Sequence, residues 1–285
     1  MAMALGCGSE PPPDVATEVA PEPTVEVEHA VVFTGPVGEG SELFSLDLAT
    51  GDTHQLTELA GQLGFPVWSP SGDRIAFTAM ADDRASLEAL SLKTGEISTI
   101  LGDYGNLADW GPDGERLVIT LDGDADERGL FLLDVATGEA ESVETGSSQD
   151  AYARWSRNGE VIAYESSRDG NPEVYVTWLG SGETARLTEN DHLDEWPSPS
   201  PDASQIAWAS GTEEEKNLWV MKSDGSEKRQ VTEGMLFGDA FPEWSPDGDR
   251  ILLTVREDEK FVLKLIDLGT GAVTDVGPGS AASWR

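Results

Sequence analysis

Trp244-Ser245-Pro246-Asp247-Gly248-Asp249-Arg250-Ile251-Leu252-Leu253 joins an indole to a tight turn and then to an aliphatic run, and near-copies of it recur along the chain. WSPSGDRIAF begins at Trp68, WGPDGERLVI at Trp110, WSRNGEVIAY at Trp155 and PSPDASQIAW at Pro199, and Ser283-Trp284-Arg285 starts one more. From Trp68 onward these positions step by 42, 45, 44, 45 and 40 residues. A second column, the glycines Gly51, Gly95, Gly138, Gly182, Gly225 and Gly271, steps by 44, 43, 44, 43 and 46. Two independent columns share one period. A period of about 40–45 residues holding four short strands is what a β-propeller blade requires.

The unit at Trp68 shows how each copy is built. Phe65 to Trp68 reads as innermost strand a, and Ser69-Pro70-Ser71-Gly72 as a type I turn with proline at its second place and glycine at its fourth. Strand b follows from Arg74 to Thr78, a polar loop from Met80 to Ala85, and strand c from Leu87 to Leu92. Thr94-Gly95 turns the chain into strand d, Ile97 to Leu101. Phe33 precedes Gly51 by the same 18 residues that separate Phe77 from Gly95, so the chain enters its first blade at strand b, Ala30 to Thr34. The missing strand a is Ala281 to Arg285. The expected fold is therefore all-β, a six-bladed propeller of four-stranded antiparallel blades, with the N- and C-terminal strands sharing one blade and leaving no open innermost edge. The copy at Pro199 is weakened: Pro replaces Trp, and Ala203 stands where glycine would suit a positive φ.

Two domains follow: residues 1–29 as a signal-peptide remnant and tether, and 30–285 as the propeller. Pro11-Pro12-Pro13 and the Glu/Val run around Pro21 and Pro23 cannot bury enough apolar surface to offset ordering, so this stretch is expected to be a disordered tether. Ala4-Leu5-Gly6-Cys7 resembles a bacterial lipobox, which makes Cys7 the expected lipidation site. Six residues before it are too few for a secretory apolar region of about 7–15 residues, so the chain is expected to start within a signal peptide. With 54 acidic against 18 basic residues and a formal charge of −36, phosphate-rich partners are repelled and nucleic-acid binding is excluded. Cys7 is the only cysteine, so no internal disulfide forms.

Ser167-Arg168-Asp169-Gly170-Asn171-Pro172-Glu173-Val174-Tyr175-Val176, then Ala185-Arg186-Leu187-Thr188 and Asp194-Glu195-Trp196-Pro197-Ser198, resemble the blade consensus of TolB-type propellers. Asn217-Leu218-Trp219-Val220-Met221-Lys222-Ser223-Asp224-Gly225 and Phe241-Pro242-Glu243-Trp244 repeat it. The resemblance covers about residues 30 to 285 and implies a binding propeller of the cell envelope. TolB itself carries a further N-terminal α/β domain, for which the residues before Ala30 are expected to leave no room. The Gly-His and Trp-Asp dipeptides of WD repeats are missing, and so is the G-x-S-x-G elbow of propeller-bearing hydrolases.

The tryptophan column and the aliphatic b and c strands are expected to pack blade against blade. Two further columns point to a site. Asp150, Asp194 and Asp239 stand five places before the tryptophan column, and Phe65, Tyr152, Trp196 and Phe241 three places before it. Placed ahead of strand a, they would ring one mouth of the central channel and hold a peptide or sugar, or the carboxylates would only accept backbone N–H bonds. No catalytic residue is assigned. Metal binding is not expected: Asp122, Asp124 and Asp126 crowd one loop, but Glu127 and Leu133 stand where an EF-hand needs glycine and glutamate. His29, His54 and His192 have no metal-ligand spacing. The expected protein is a non-enzymatic, monomeric binding propeller of the bacterial envelope or periplasm. Lipid-anchored and without cofactor, it presents its channel mouth to an envelope or peptidoglycan-associated protein. The alternative is a propeller enzyme of calcium-dependent lactonase or lyase type, calcium being its cofactor.

Overall fold

The computed structural model describes residues 30–59, 61–81, 84–122, 128–235, 238, 240–258 and 260–284. Cys7 and the tether, Asp124, Asp126, Asp239 and the side chain of Asp122 lie outside the described residues. Six four-stranded antiparallel sheets follow one another along the chain, and no helix occurs among the described residues.

Blade 1 is the shared one, with Ser280–Trp284 as strand a and Ala30–Val37, Gly40–Asp47 and Thr53–Gln55 as b, c and d. The C-terminal strand pairs with the N-terminal one through Val31 opposite Trp284 and Val32 opposite Ser283. Blade 2 runs Gln62–Trp68, Arg74–Ala81, Arg84–Ser91 and Ile97–Gly102, so the stretch read as a polar loop from Met80 to Ala85 is mostly strand. Met80 pairs with Ala85 and Ala81 with Arg84, because ladder bonds continue to the hairpin tip whatever the side-chain polarity. Blade 3 is Ala108–Trp110, Arg116–Asp122, Arg128–Asp134 and Ala140–Ser142; blade 4 is Asp150–Trp155, Val161–Ser166, Glu173–Trp178 and Glu183–Arg186. Blade 5 is Leu193–Pro199, Gln205–Gly211, Lys216–Lys222 and Arg229–Gln230, and blade 6 is Glu243–Trp244, Arg250–Glu257, Lys260–Asp267 and Val273–Pro278.

The core lies between blades. Each tryptophan of the column packs on the blade before its own: Trp68 on Ala30, Val32 and Leu43, Trp110 on Val67, Ala76 and Leu87, Trp155 on Val118 and Leu130. Trp244 meets Ala207, Leu218 and Val220 in the same way, and Trp284 meets Leu252 and Leu263. A tryptophan covers about 150–250 Å², so each contributes roughly 4–6 kcal/mol of gross transfer free energy at about 25 cal/mol per Å². Where Pro199 breaks the column, Trp208 of the adjacent strand fills the interface against Val161, Ala163, Val174 and Val176.

The turn that follows the tryptophan adds a second tie between blades. Its arginine lies over the next blade's indole: Arg74 over Trp110 at 4.7 Å, Arg116 over Trp155 at 5.3 Å and Arg250 over Trp284 at 5.3 Å. Ahead of Pro199, where the column lacks its tryptophan, the arginine is absent too, Val161 standing in its place, and Gln205 stands there ahead of Trp244. The fourth turn residue is left-handed in every copy: φ is +71° at Gly72, +69° at Gly114, +78° at Gly159, +58° at Ala203 and +77° at Gly248. Ala203 is thus the one copy that carries a Cβ in a conformation costing an L-residue roughly 1–2 kcal/mol.

Candidate functional site

The channel is closed at two levels. Near the end formed by the a-to-b turns, the residue just before each tryptophan faces inward, and three of the six are charged: Asp109, Arg154 and Glu243. Arg154 lies 3.3 Å from Asp109 on blade 3 and 2.7 Å from Glu243 on blade 6, so one guanidinium from blade 4 ties an adjacent blade to one across the channel. Asp109 also accepts the Trp155 backbone N–H at 2.8 Å. Burial pushes the carboxyls of Asp109 and Glu243 above their ordinary range, against the pull of Arg154. Burial also works against the charge on Arg154, but Asp109 and Glu243 outweigh it and raise its pKa further. Arg157 reaches from the same blade to the carbonyl of Trp284 at 3.1 Å, on the blade three places around the ring. The cavity at this end has a volume of about 160 Å³.

Further along the channel the aromatic column comes together. Phe65, Tyr152, Trp196 and Phe241 pack with Leu107 and Ala209 as one cluster that fills the channel. The sequence pattern places Tyr152 and Trp196 ahead of strand a; the structure places both within it, as it does Phe65, and Phe65, Tyr152 and Trp196 hold left-handed φ of +50°, +51° and +52°. The a–b register shifts at each of these points, between Gly64 and Val67, Ala151 and Arg154, and Glu195 and Ser198. A bulge of this kind adds a residue and re-aims its side chain, which is why bulky side chains hold an uncommon conformation and meet at the axis. Cations cap the cluster: Arg154 lies 4.8 Å from the Phe241 ring centroid and Lys216, paired to Glu195 at 2.6 Å, lies 4.7 Å from that of Trp196.

The aspartate column is placed differently from its expected position at the open mouth. Asp150 and Asp194 belong to strand a and are fully buried. Both Asp150 oxygens accept from Arg168 at 2.8 Å, and Thr145 donates to one of them. Asp194 accepts from Asn190 at 2.7 Å and from the Trp208 indole at 3.0 Å, and burial raises its carboxyl against these bonds. One residue of strand a separates each aspartate from its aromatic neighbour at the axis, a spacing that would put both on one face of a regular strand, and the bulge at the aromatic turns the two side chains apart. The carboxylates turn into their own blades and tie down loop segments. Tyr152 and Trp196 fix the inner edge instead, taking backbone bonds to Thr120 and Glu165 of the preceding blade at 3.2 and 3.4 Å.

The charged trio at the channel axis was not singled out in the sequence. Its signal is a charged residue immediately before an otherwise apolar column's tryptophan, at Asp109-Trp110, Arg154-Trp155 and Glu243-Trp244. His54 lies in a strand d and His192 in a d-to-a loop, and among the described residues no group of three or more His, Cys, Asp and Glu side chains gathers where a metal could sit. On the mouth side, formed by the b-to-c and d-to-a loops, a groove of about 310 Å³ lies over blade 1, between Phe65 and Met80 of blade 2 and Phe261 of blade 6.

The sequence profile of the TolB beta propeller domain (PD40) matches residues 55–276. An uncharacterized protein of Agrobacterium fabrum is 25% identical over 243 residues, 82% of this chain and 80% of that protein. A TolB homolog of Chlorobium luteolum is 30% identical over 156 residues, 54% of this chain and 35% of its own length. The Tol-Pal system protein TolB of Francisella tularensis subsp. mediasiatica is 22% identical over 233 residues, so the chain spans about half, or less, of the TolB relatives it matches. Among solved structures, TolB from Acinetobacter baumannii superposes with a TM-score of 0.78 at 18% identity, covering 90% of this chain and 66% of that one. An oligogalacturonate lyase in complex with manganese superposes at 0.61 and 17% identity over 88% of this chain and 74% of that one, a likeness of fold alone.

Proposed function

Since the chain belongs to the TolB β-propeller domain family, we propose that it is a non-enzymatic binding propeller of the bacterial cell envelope, and that its working surface is the mouth formed by the d-to-a and b-to-c loops. The observation that carries this reading is the double closure of the channel. The charged groups at the axis are spent on one another, and the aromatic cluster beyond them is packed as a core, so the ring offers a ligand a face rather than a tunnel. The relatives named as TolB proteins support an extracytoplasmic place and an envelope protein, or one associated with peptidoglycan, as partner. Cys7 is the proposed lipid anchor, holding the propeller to the membrane through residues 8–29.

The test is site-specific photo-crosslinking of the exported full chain in living bacteria. A benzoylphenylalanine at His192, in a d-to-a loop, is expected to give a discrete protein adduct, whereas one at Thr94, in a c-to-d hairpin on the opposite face, gives none. Equal labelling from both positions refutes a mouth-directed function. The enzymatic alternative is checked by incubating purified chain with oligogalacturonate and manganese or calcium, where any turnover replaces the binding-only reading. The anchor is tested separately: with an authentic upstream signal, Cys7→Ser is expected to leave the membrane fraction.

A further inference from the structure

The two faces of the ring differ in charge although their loops are of nearly equal total length. Between the strands, the loops of the mouth hold nineteen aspartates and glutamates and one arginine, those of the opposite face twelve acidic residues and three basic ones. The arginine of the mouth loops, Arg168, is already paired with buried Asp150. Cations at the strand ends do not reverse the balance: Arg84 adjoins Asp82 and Asp83, Arg128 adjoins Asp126 and Glu127, Lys216 adjoins Glu213, Glu214 and Glu215, and Arg256 and Lys260 enclose Glu257, Asp258 and Glu259. On the opposite face the turns account for the carboxylates. Asp113, Asp202, Asp224 and Asp247 each accept the backbone N–H two residues on, at 2.9, 3.0, 2.9 and 3.1 Å. At the mouth Asp191, Glu213, Glu214, Glu215 and Glu233 are exposed, and among the described residues none of their carboxylates accepts a hydrogen bond or forms an ion pair. They gather around blade 5, in its b-to-c loop and in the d-to-a connections on either side. Like charges so placed repel one another, and no contact within the ring offsets them.

Exposed apolar surface collects on the same face. Among the described residues five large apolar side chains are exposed, and four of them, Val37, Leu59, Met80 and Phe261, stand at mouth hairpins or connections of blades 6, 1 and 2. Met80 and Phe261, at 51% and 42% exposure, border the groove of about 310 Å³ over blade 1. Its floor carries Ala281, where the other blades put Phe65, Leu107, Tyr152, Trp196 and Phe241. Blade 5 lies opposite blade 2, so the mouth has an acidic sector and an apolar sector with the plugged channel between them. Every b-to-c hairpin of this face is net negative with its strand ends included. An acidic segment or an anionic bilayer is therefore repelled, and a cationic segment is drawn in at long range. A purely ionic ligand leaves the apolar sector in water, whereas a segment that also carries large apolar side chains covers it.

We propose that the mouth docks a basic segment of a partner protein, with its lysines and arginines over the acidic loops around blade 5 and large apolar side chains at one end of it over Met80 and Phe261. The proposal rests on the reading of the mouth as a protein-binding face and adds the partner's chemistry. The probe is a fluorescein-labelled peptide of twelve residues, with Leu-Phe-Leu at one end, four lysines at the other and glycine and serine between, which reaches about 40 Å when extended. It is titrated with the full chain by anisotropy and compared with a version carrying glutamates for the lysines and one carrying serines for Leu-Phe-Leu. The lysine peptide is expected to bind at least tenfold more tightly than either, and more weakly as salt rises. The triple variant Glu213→Lys, Glu214→Lys, Glu215→Lys is expected to cost at least tenfold, and the pair Met80→Ser with Phe261→Ser at least threefold. A second triple, Glu96→Lys, Glu139→Lys, Glu183→Lys, makes the same change of charge at exposed c-to-d hairpins of the opposite face and is expected to leave affinity within twofold. Equal losses from the two triples would mean that the overall charge, not the mouth, attracts the peptide, and would overturn the proposal. Unchanged affinity in the Met80 and Phe261 pair, equal or tighter binding of either comparison peptide, or no binding of the lysine peptide overturns it as well. If crosslinking from His192 succeeds while the lysine peptide does not bind, the basic partner falls and the mouth-directed function stands.

Discussion

The two ends of the channel are built from the same repeat and differ in how strictly the copies agree. At the end formed by the a-to-b turns, the turn geometry recurs in five copies, three arginines lie over the next blade's tryptophan, and one arginine spans the channel between two carboxylates. At the mouth, one column holds two phenylalanines, a tyrosine, a tryptophan, a leucine and an alanine. Residues that build a ring must be alike in every blade, because each blade meets the same neighbour. Positions freed from that demand can diverge, and the divergence is largest at blade 1, where Ala281 leaves a groove.

The largest expected effect lies at the uniform end. Arg154→Met removes the cation from two buried carboxylates and is expected to cost about 3–5 kcal/mol in urea unfolding. The loss depends on pH in a defined direction. Asp109 and Glu243 already have raised folded values, so their folded forms bind protons more readily than the unfolded chain does. Without Arg154 this tendency grows, so the deficit of the variant should narrow as pH falls from 7 toward the ordinary carboxylate range. A deficit that widens on acidification contradicts the burial of this trio.

A smaller effect of opposite sign is expected at the weakened copy. Ala203→Gly relieves a left-handed alanine and should stabilise the protein by about 1 kcal/mol; a loss of stability would mean that the turn is not held at positive φ in solution. The turn aspartates titrate the other way from Asp109. The Ser245 hydroxyl, then the Asp249 backbone N–H, lower the carboxyl of Asp247. Its contribution is present above the unfolded value and is lost as pH falls through the folded one. Asp247→Asn should therefore lower the melting temperature at pH 7 and make no difference in strong acid. The smallest effect is expected at the mouth, where Ala281→Phe should change stability by no more than about 0.5 kcal/mol, because the backbone already has the conformation of its aromatic counterparts.

Much of the ring is written in the chain. Tryptophan and turn-glycine columns carry the period, and the match of Phe33 to Phe77 reveals the shared blade, since both report contacts that repeat locally. The pairing of Arg154 with Glu243 is different: it joins blades that are not neighbours, and no spacing within a repeat encodes it. The direction of Asp150 and Asp194 was equally hidden. A strand alternates its side chains until a bulge intervenes, and the bulge at Tyr152 and Trp196 is visible only in the backbone. The small residue at Ala281 could have been read from the column alone, had the one position with neither an aromatic nor a leucine been weighed as heavily as the others.

Amide hydrogen exchange of the full chain, with and without a saturating amount of the lysine peptide, compares the two ends in one experiment. The account predicts added protection in residues 78–85, 187–193 and 211–216, on the mouth, and none in the a-to-b turns from Trp110 to Arg116 or Trp244 to Arg250. Protection at those turns, with the mouth unchanged, would contradict it.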